Sequence, residues 1–151
     1  MDVTIQDIAL CGTETLETIT VWHRAEWGDE WAEQIQTFSK KGGLPGIYVA
    51  LLDGKTPIGT SMLLFDDMVT RTDLGPWLGG VYVLPEFRGH GVGTELTCHA
   101  MDKARELELP VLWLYTAKER HLYERVGWKF VSEEYYPVES QNVSIMKWEP
   151  K

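Results

Sequence analysis

The spacing of apolar and polar positions changes several times along the chain, and each change marks an element. Val3 to Asp7 alternates weakly, the two-residue period of a first strand. From Glu14 to Trp27 the period becomes helical, with Leu16, Ile19, His23 and Trp27 on one face. A second helix is predicted over Glu30 to Lys40, where Trp31, Ile35 and Phe38 recur at i, i+4 and i+7; Gly42-Gly43 and Pro45-Gly46 end it. Ile47 to Leu52 reads as an apolar strand, Asp53-Gly54 as a hairpin turn and Pro57 to Phe65 as the partner strand. Asp66 to Gly75 is a polar loop, and Trp77 to Leu84 is the next strand.

Thr94 opens a long helical pattern. Val92, Leu96, Ala100, Ala104 and Leu107 lie in one apolar stripe, whereas Glu95, Asp102, Arg105 and Glu106 face elsewhere. Pro110 closes that region. Val111 to Tyr115 is nearly all apolar and predicts a strand covered on both faces. Lys118 to Val126 predicts a short helix, with Gly127 where a left-handed cap belongs. Trp128 to Tyr136 and Gln141 to Trp148 predict a closing hairpin. The order β-α-α-β-β-β-α-β-α-β-β is that of an α/β sandwich. No repeat, low-complexity tract or linker interrupts it, so residues 1–151 are expected to form one domain.

Composition narrows the function. The chain has 151 residues, long enough for a real core, with 44% apolar residues. No apolar run approaches the ~18 residues that a membrane span needs. Met1-Asp2-Val3-Thr4 lacks a signal peptide's basic start, and Cys11 and Cys98 suggest no disulfide framework; the cytoplasm is the expected compartment. A net charge of −9 argues against nucleic acid or an acidic membrane surface as partner, and it suits a cationic small molecule. His23, His99 and His121 lack ligand spacing and acidic companions, so no metal site is expected.

The most informative stretch runs from Trp77 to Thr94. An apolar β-branched run (Val81, Tyr82, Val83) stops at Pro85, Arg88 follows, and Gly89, Gly91 and Gly93 then alternate with other residues up to a helix start. Missing side chains let backbone approach an anion, and the first N–H groups and dipole of a helix favour negative charge. No Lys follows the glycines, which excludes a Walker loop, and the spacing is not the G-x-G-x-x-G of a dinucleotide site.

Arg88-Gly89-His90-Gly91-Val92-Gly93 resembles the Arg/Gln-x-x-Gly-x-Gly/Ala signature of the GNAT acetyltransferase superfamily. Downstream, Leu122-Tyr123-Glu124-Arg125-Val126-Gly127-Trp128 is similar to that family's Leu-Tyr-x-x-x-Gly-Phe segment, with Trp128 where Phe is commoner. The resemblance implies a GNAT-type α/β/α sandwich with a mixed, centrally splayed β-sheet, and acetyl-CoA (coenzyme A) as cofactor. It implies that the pyrophosphate lies on Arg88, Gly89, His90, Gly91, Val92, Gly93 and Thr94. It also implies that the pantetheine arm pairs with the backbone of Val81, Tyr82 and Val83. Arg88 then supplies charge or holds the turn, and Thr94 caps the helix or bonds phosphate. Thr116 stands where relatives often have an Asn that contacts pantetheine. Tyr123 is the implied general acid, protonating the departing thiolate, and also touches the cofactor.

The general base does not carry over. Many relatives place Glu on the strand that here reads Trp77-Leu78-Gly79-Gly80, without a carboxylate. Glu26 and Asp73 are the candidates; Trp27, Trp31 and Trp77 either line an acceptor pocket and hold a cation by its face or serve as core and edge packing alone, the commoner role of such residues. The expected function is acetyl transfer to the primary amine of a small cationic molecule, by direct attack in a ternary complex, since neither motif contains Cys. A CoA-binding sensor without turnover, or a protein N-terminal or lysine acetyltransferase, are the alternatives. The sequence does not decide between a monomer and a homodimer.

Overall fold

The structure, a computed structural model, describes residues 1–40 and 43–150; Gly42, half of the expected Gly42-Gly43 helix stop, lies outside them. Seven strands form one sheet: β1 (Val3–Asp7), β2 (Gly46–Leu52), β3 (Thr56–Leu64), β4 (Trp77–Val83), β5 (Leu112–Thr116), β6 (Lys129–Tyr136) and β7 (Gln141–Trp148). Their spatial order is β1-β2-β3-β4-β5-β7-β6. Neighbours are antiparallel except β4 and β5, which are parallel. The helices are α1 (Thr13–Trp27), α2 (Asp29–Phe38), α3 (Val92–Glu106) and α4 (Arg120–Arg125).

Strand alternation divides the core between the two faces. Ile47, Val49 and Leu51 of β2 and Trp77 of β4 join Ile19 of α1 and Ile35 of α2 on one face. Tyr48, Leu63, Leu78, Leu112 and Leu114 pack with Ala100, Met101 and Ala104 of α3 on the other. The β2–β3 hairpin turns through Asp53 and Gly54, both in the left-handed region (φ 53° and 70°), the geometry a two-residue type I′ turn requires. Lys55 N–H closes it on Leu52 C=O at 3.0 Å.

The predicted element order holds, with two corrections. Helix α3 begins at Val92, not Thr94, because Gly91 adopts a left-handed conformation and feeds the chain directly into the helix. Strand β5 is not covered on both faces: Leu112 and Leu114 are buried, but Trp113, Tyr115 and Thr116 are only half-buried.

Two irregularities shape the centre of the sheet. The β4–β5 register contains a single pair, Trp77 with Trp113, supported by Trp113 N–H donating to Pro76 C=O at 3.0 Å. The strands then diverge, so the β5-facing edge of β4 towards Val83 has no strand partner among the described residues. On its other side β4 carries a bulge: the β3 register passes from Thr60–Tyr82 to Met62–Gly79, with Gly80 at φ 55°.

Candidate functional site

The chain leaves β4 through a short 3₁₀ turn, Pro85–Phe87, and enters the glycine segment. Arg88 Nε donates to Val83 C=O at 2.8 Å, and its guanidinium carbon lies 5.6 Å from the centre of the Tyr82 ring. Arg88 thus fastens the turn to the end of β4 while keeping an exposed cationic head. Gly89 and Gly91 sit at φ 80° and 82°, and a Cβ on either would meet nothing within 4 Å. Both face open space in a conformation that disfavours any other residue.

Gly91 caps α3 without a side-chain bond. The first helical hydrogen bond runs from Glu95 N–H to Gly91 C=O at 3.0 Å, so the N–H groups of Val92, Gly93 and Thr94 have no intrahelical acceptor. Val92 is buried, His90 is exposed, and Thr94 is half-buried in the first turn. Thr94 is therefore not the helix cap; its hydroxyl belongs to the same N-terminal surface as the free amides.

Tyr123 is placed by the end of α4. Trp128 N–H donates to Tyr123 C=O at 3.1 Å and Gly127 N–H to Glu124 C=O at 3.2 Å, with Gly127 at φ 104°. These two bonds form a Schellman cap, which explains the spacing of Tyr123, Gly127 and Trp128 as three positions of one motif. The Trp128 indole then anchors beneath α3, its N–H pointing at Met101 Sδ at 3.4 Å. Tyr123 is 7% exposed, and burial, with Glu119 secondary, pushes its phenol up to about 12. Its proton is thus held through the neutral range. Thr116, at the end of β5, accepts from Glu119 N–H at 3.0 Å and shapes the approach to α4.

On the opposite face the β4 bulge is held by a chain of side chains. Trp31 Nε1–H donates to His23 Nδ1 at 2.8 Å, which leaves the His23 proton on Nε2, facing Thr60 Oγ1 at 2.8 Å. Thr60 in turn donates to Gly80 C=O at 2.9 Å. His23 is fully buried, and burial lowers its basicity to a pKa of about 4. It is neutral and structural. The Trp27, Trp31 and Tyr82 rings surround it, with Trp27 the most open of the three. Trp77, which the sequence leaves open as pocket lining or core packing, is fully buried, with its N–H on Leu74 C=O at 3.0 Å; strand parity turns it into the core.

The carboxylates differ in kind. Glu26 is exposed on α1. Asp73 is exposed and held in a fork by Arg71 (Nε–Oδ1 and Nη2–Oδ2, both 3.0 Å), which keeps its carboxyl below the usual range, the reverse of what a base needs. Asp67, which sequence reasoning did not single out as a base, lies against β4. A Cβ on Gly79 would stand 2.5 Å from Asp67 Oδ2. Burial, with the Glu139 carboxylate secondary, pushes the Asp67 carboxyl up to about 7. Its loop is pinned on the far side of the same residue: Met68 is buried and Val69 N–H donates to the Tyr136 hydroxyl at 3.1 Å. The available signal was the Gly79-Gly80 pair inside a strand, which marks close approach by another group.

The site therefore combines an anion cradle, an unpaired strand edge and a buried tyrosine. The sequence profile of the Acetyltransferase (GNAT) family matches residues 13–128. The chain belongs to the GNAT family of acetyltransferases. Solved structures share the GNAT fold at low identity. A coenzyme A complex of aminoglycoside 6'-N-acetyltransferase is 13% identical with a TM-score of 0.78, covering 98% of this chain and 97% of that one. A spermidine N-acetyltransferase chimera from Vibrio cholerae and hSSAT is 19% identical with a TM-score of 0.72, covering 99% and 97%. The yncA protein from Salmonella typhimurium, solved with its cofactor acetyl-CoA, is 15% identical with a TM-score of 0.72, covering 100% and 95%. No curated protein sequence is significantly similar to the chain. Acetyl-CoA is the cofactor of this GNAT enzyme, and the geometry suits it. The open Gly89–Gly91 turn and the free α3 amides match its phosphates. The unpaired β4 edge matches its amide-bearing arm.

Proposed function

We propose that this GNAT protein transfers the acetyl group of acetyl-CoA directly to the primary amine of a small cationic molecule. The observation that carries this reading is the meeting of the open α3 N-terminus with the divergence of β4 and β5, beside the buried phenol of Tyr123. Acetyl-CoA supplies the activated thioester when bound. The Val92, Gly93 and Thr94 amides and the Arg88 cation take its phosphates, and the backbone of Val81, Tyr82 and Val83 takes the extended arm.

In this reading a backbone N–H of the Val81–Val83 segment receives the charge that develops on the thioester oxygen. The Tyr123 phenol, kept protonated by burial, gives its proton to the leaving sulfur. Both cysteines are raised in pKa by burial, which disfavours the thiolate of an acyl-cysteine route. Direct attack on the bound thioester is the consistent alternative.

The cationic acceptor is supported by the net charge of −9 and by carboxylates on α1, α2 and the β3–β4 loop. Asp29 is paired with Arg24 and Asp73 with Arg71, leaving Glu26, Glu30, Glu33, Asp66 and Asp67 as the relevant set. The aminoglycoside and spermidine acetyltransferases among the structural neighbours act on amines of this class, which supports the same reading. A panel of polyamines, aminoglycosides, amino acids and peptides, followed by CoA thiol release, tests it. Cationic small amines are expected to react fastest; release with peptides alone would replace this acceptor class by protein termini or lysines.

A further inference from the structure

We propose that Asp67 is the catalytic base, accepting a proton from the acceptor's ammonium at the divergence of β4 and β5. The inference rests on the acetyltransferase reading above and supplies the residue that reading lacks.

The geometry starts from Gly79. A base on β4 itself would have to project from this strand, but Gly79 has no side chain and the Asp67 carboxylate occupies the space next to its Cα. An added Cβ would lie 2.5 Å from Asp67 Oδ2 and 3.1 Å from Asp67 Cγ. Gly79 shares a strand face with Trp77, the α1–α2 face, opposite to Leu78 and the Tyr123 cluster. The carboxylate and the phenol thus approach the central opening from opposite faces of the sheet. This disposition suits an amine that loses a proton on one side and a sulfur that gains one on the other.

The placement of Asp67 is built. The next residue, Met68, is 1% exposed, and the one after it is tied by its N–H to the Tyr136 hydroxyl. The groups facing Asp67 are Gly79 from β4, Tyr115 from β5, Tyr136 from β6 and Glu139 from the β6–β7 turn. Tyr115 donates to Glu139 Oε2 at 3.2 Å. Arg71 on the same loop is committed to Asp73 and Glu134. No described cation is left to hold Asp67 ionised. Burial and the Glu139 charge bring its titration close to neutrality, where a base both exists as carboxylate and binds a proton well.

The step balances. The ammonium gives one proton to the Asp67 carboxylate, and the freed lone pair forms the C–N bond at the thioester carbon. The C–S bond breaks with its electron pair on sulfur, which takes a proton from Tyr123. The second proton lost by nitrogen passes through solvent to the Tyr123 phenolate and restores the phenol, which balances the proton delivered to sulfur. Asp67 returns its proton to water.

The test uses Asp67→Asn with acetyl-CoA and a cationic amine panel. The wild-type kcat/KM is expected to rise with pH through about 7, because the base must be ionised. In Asp67→Asn that limb should vanish and kcat fall by roughly 10²-fold, with acetyl-CoA affinity by calorimetry unchanged. Adding Gly79→Glu to Asp67→Ala should return part of the lost rate by placing the carboxylate on the strand. Glu139→Gln should move the limb to lower pH. A readout independent of turnover is stability. The folded pKa of Asp67 is raised, so its stabilising contribution is lost as pH rises towards 7, and Asp67→Asn should gain on wild type at pH 8 relative to pH 5. An Asn variant that keeps both the limb and the rate overturns the assignment. A wild-type protein that binds acetyl-CoA but acetylates no amine overturns the acetyltransferase reading itself, and the assignment with it.

Discussion

His23 Nε2 and Thr60 Oγ1 lie 2.8 Å apart across two layers of the molecule, and this bond passes the order of α1 and α2 to the bulge in β4. His23 and Thr60, the inner members of the series from Trp31 to Gly80, each have one donor and one acceptor in use, so the tautomer of His23 is fixed by its neighbours. Protonating Nδ1 would turn an acceptor into a donor facing the Trp31 N–H.

The pH dependence of stability follows. The folded pKa of His23, about 4, lies below its ordinary 6.5, so the unfolded chain binds more protons between these values. Stability should be full above about pH 6.5 and decline as pH falls towards 4, with an amplitude of roughly 3 kcal/mol. Urea unfolding at stepped pH measures this. In His23→Leu the contribution should disappear; an unchanged slope would assign the acid sensitivity to other groups.

Gly91 tests the proposed donor site. A Gly91→Ala methyl meets no protein atom, so the fold should survive with a loss of about 1–2 kcal/mol from the left-handed conformation. If the phosphates lie on this turn as proposed, the methyl crowds their approach, and acetyl-CoA affinity should drop by at least about tenfold, ~1.4 kcal/mol. Calorimetry on the folded variant decides; unaltered affinity would place the phosphates elsewhere.

Tyr123→Phe removes only the hydroxyl. Turnover should fall by roughly 10²-fold, the usual scale for a general acid, with acetyl-CoA affinity retained. Single-turnover kinetics provides the check, and a Phe variant at the wild-type chemical rate would assign protonation of the thiolate to water.

Acceptor choice should be sensitive to salt. Exposed charges are screened beyond about 10 Å at 0.1 M, so kcat/KM for a polyamine should fall with ionic strength, whereas that for a neutral amine should not. Equal salt dependence for both would remove the electrostatic account of specificity.

Features encoded locally were legible from the sequence, and those made by distant contacts were not. Asp53-Gly54 and Gly127 declare their turns because few residues accept a left-handed backbone, and the stripe from Val92 to Ala104 declares a helix face. The start of α3 was misplaced by two residues because a glycine, not a hydroxyl residue, caps it. Trp77 reads as a pocket wall or, more commonly for such a residue, as core until strand parity is known. Asp67 was least legible: its position depends on a hydroxyl 67 residues beyond the loop amide it holds and on a glycine that yields its space.

The single rung between Trp77 and Trp113 has a mechanical meaning. The molecule is two half-sheets, β1–β4 and β5–β7, hinged at one point and clasped by α3, whose inner face packs on both. A donor lodged in the divergence, as proposed, would act as a strut between the halves. Free protein should therefore loosen along this seam before it melts elsewhere, and loading it should merge two weakly coupled halves into one cooperative body.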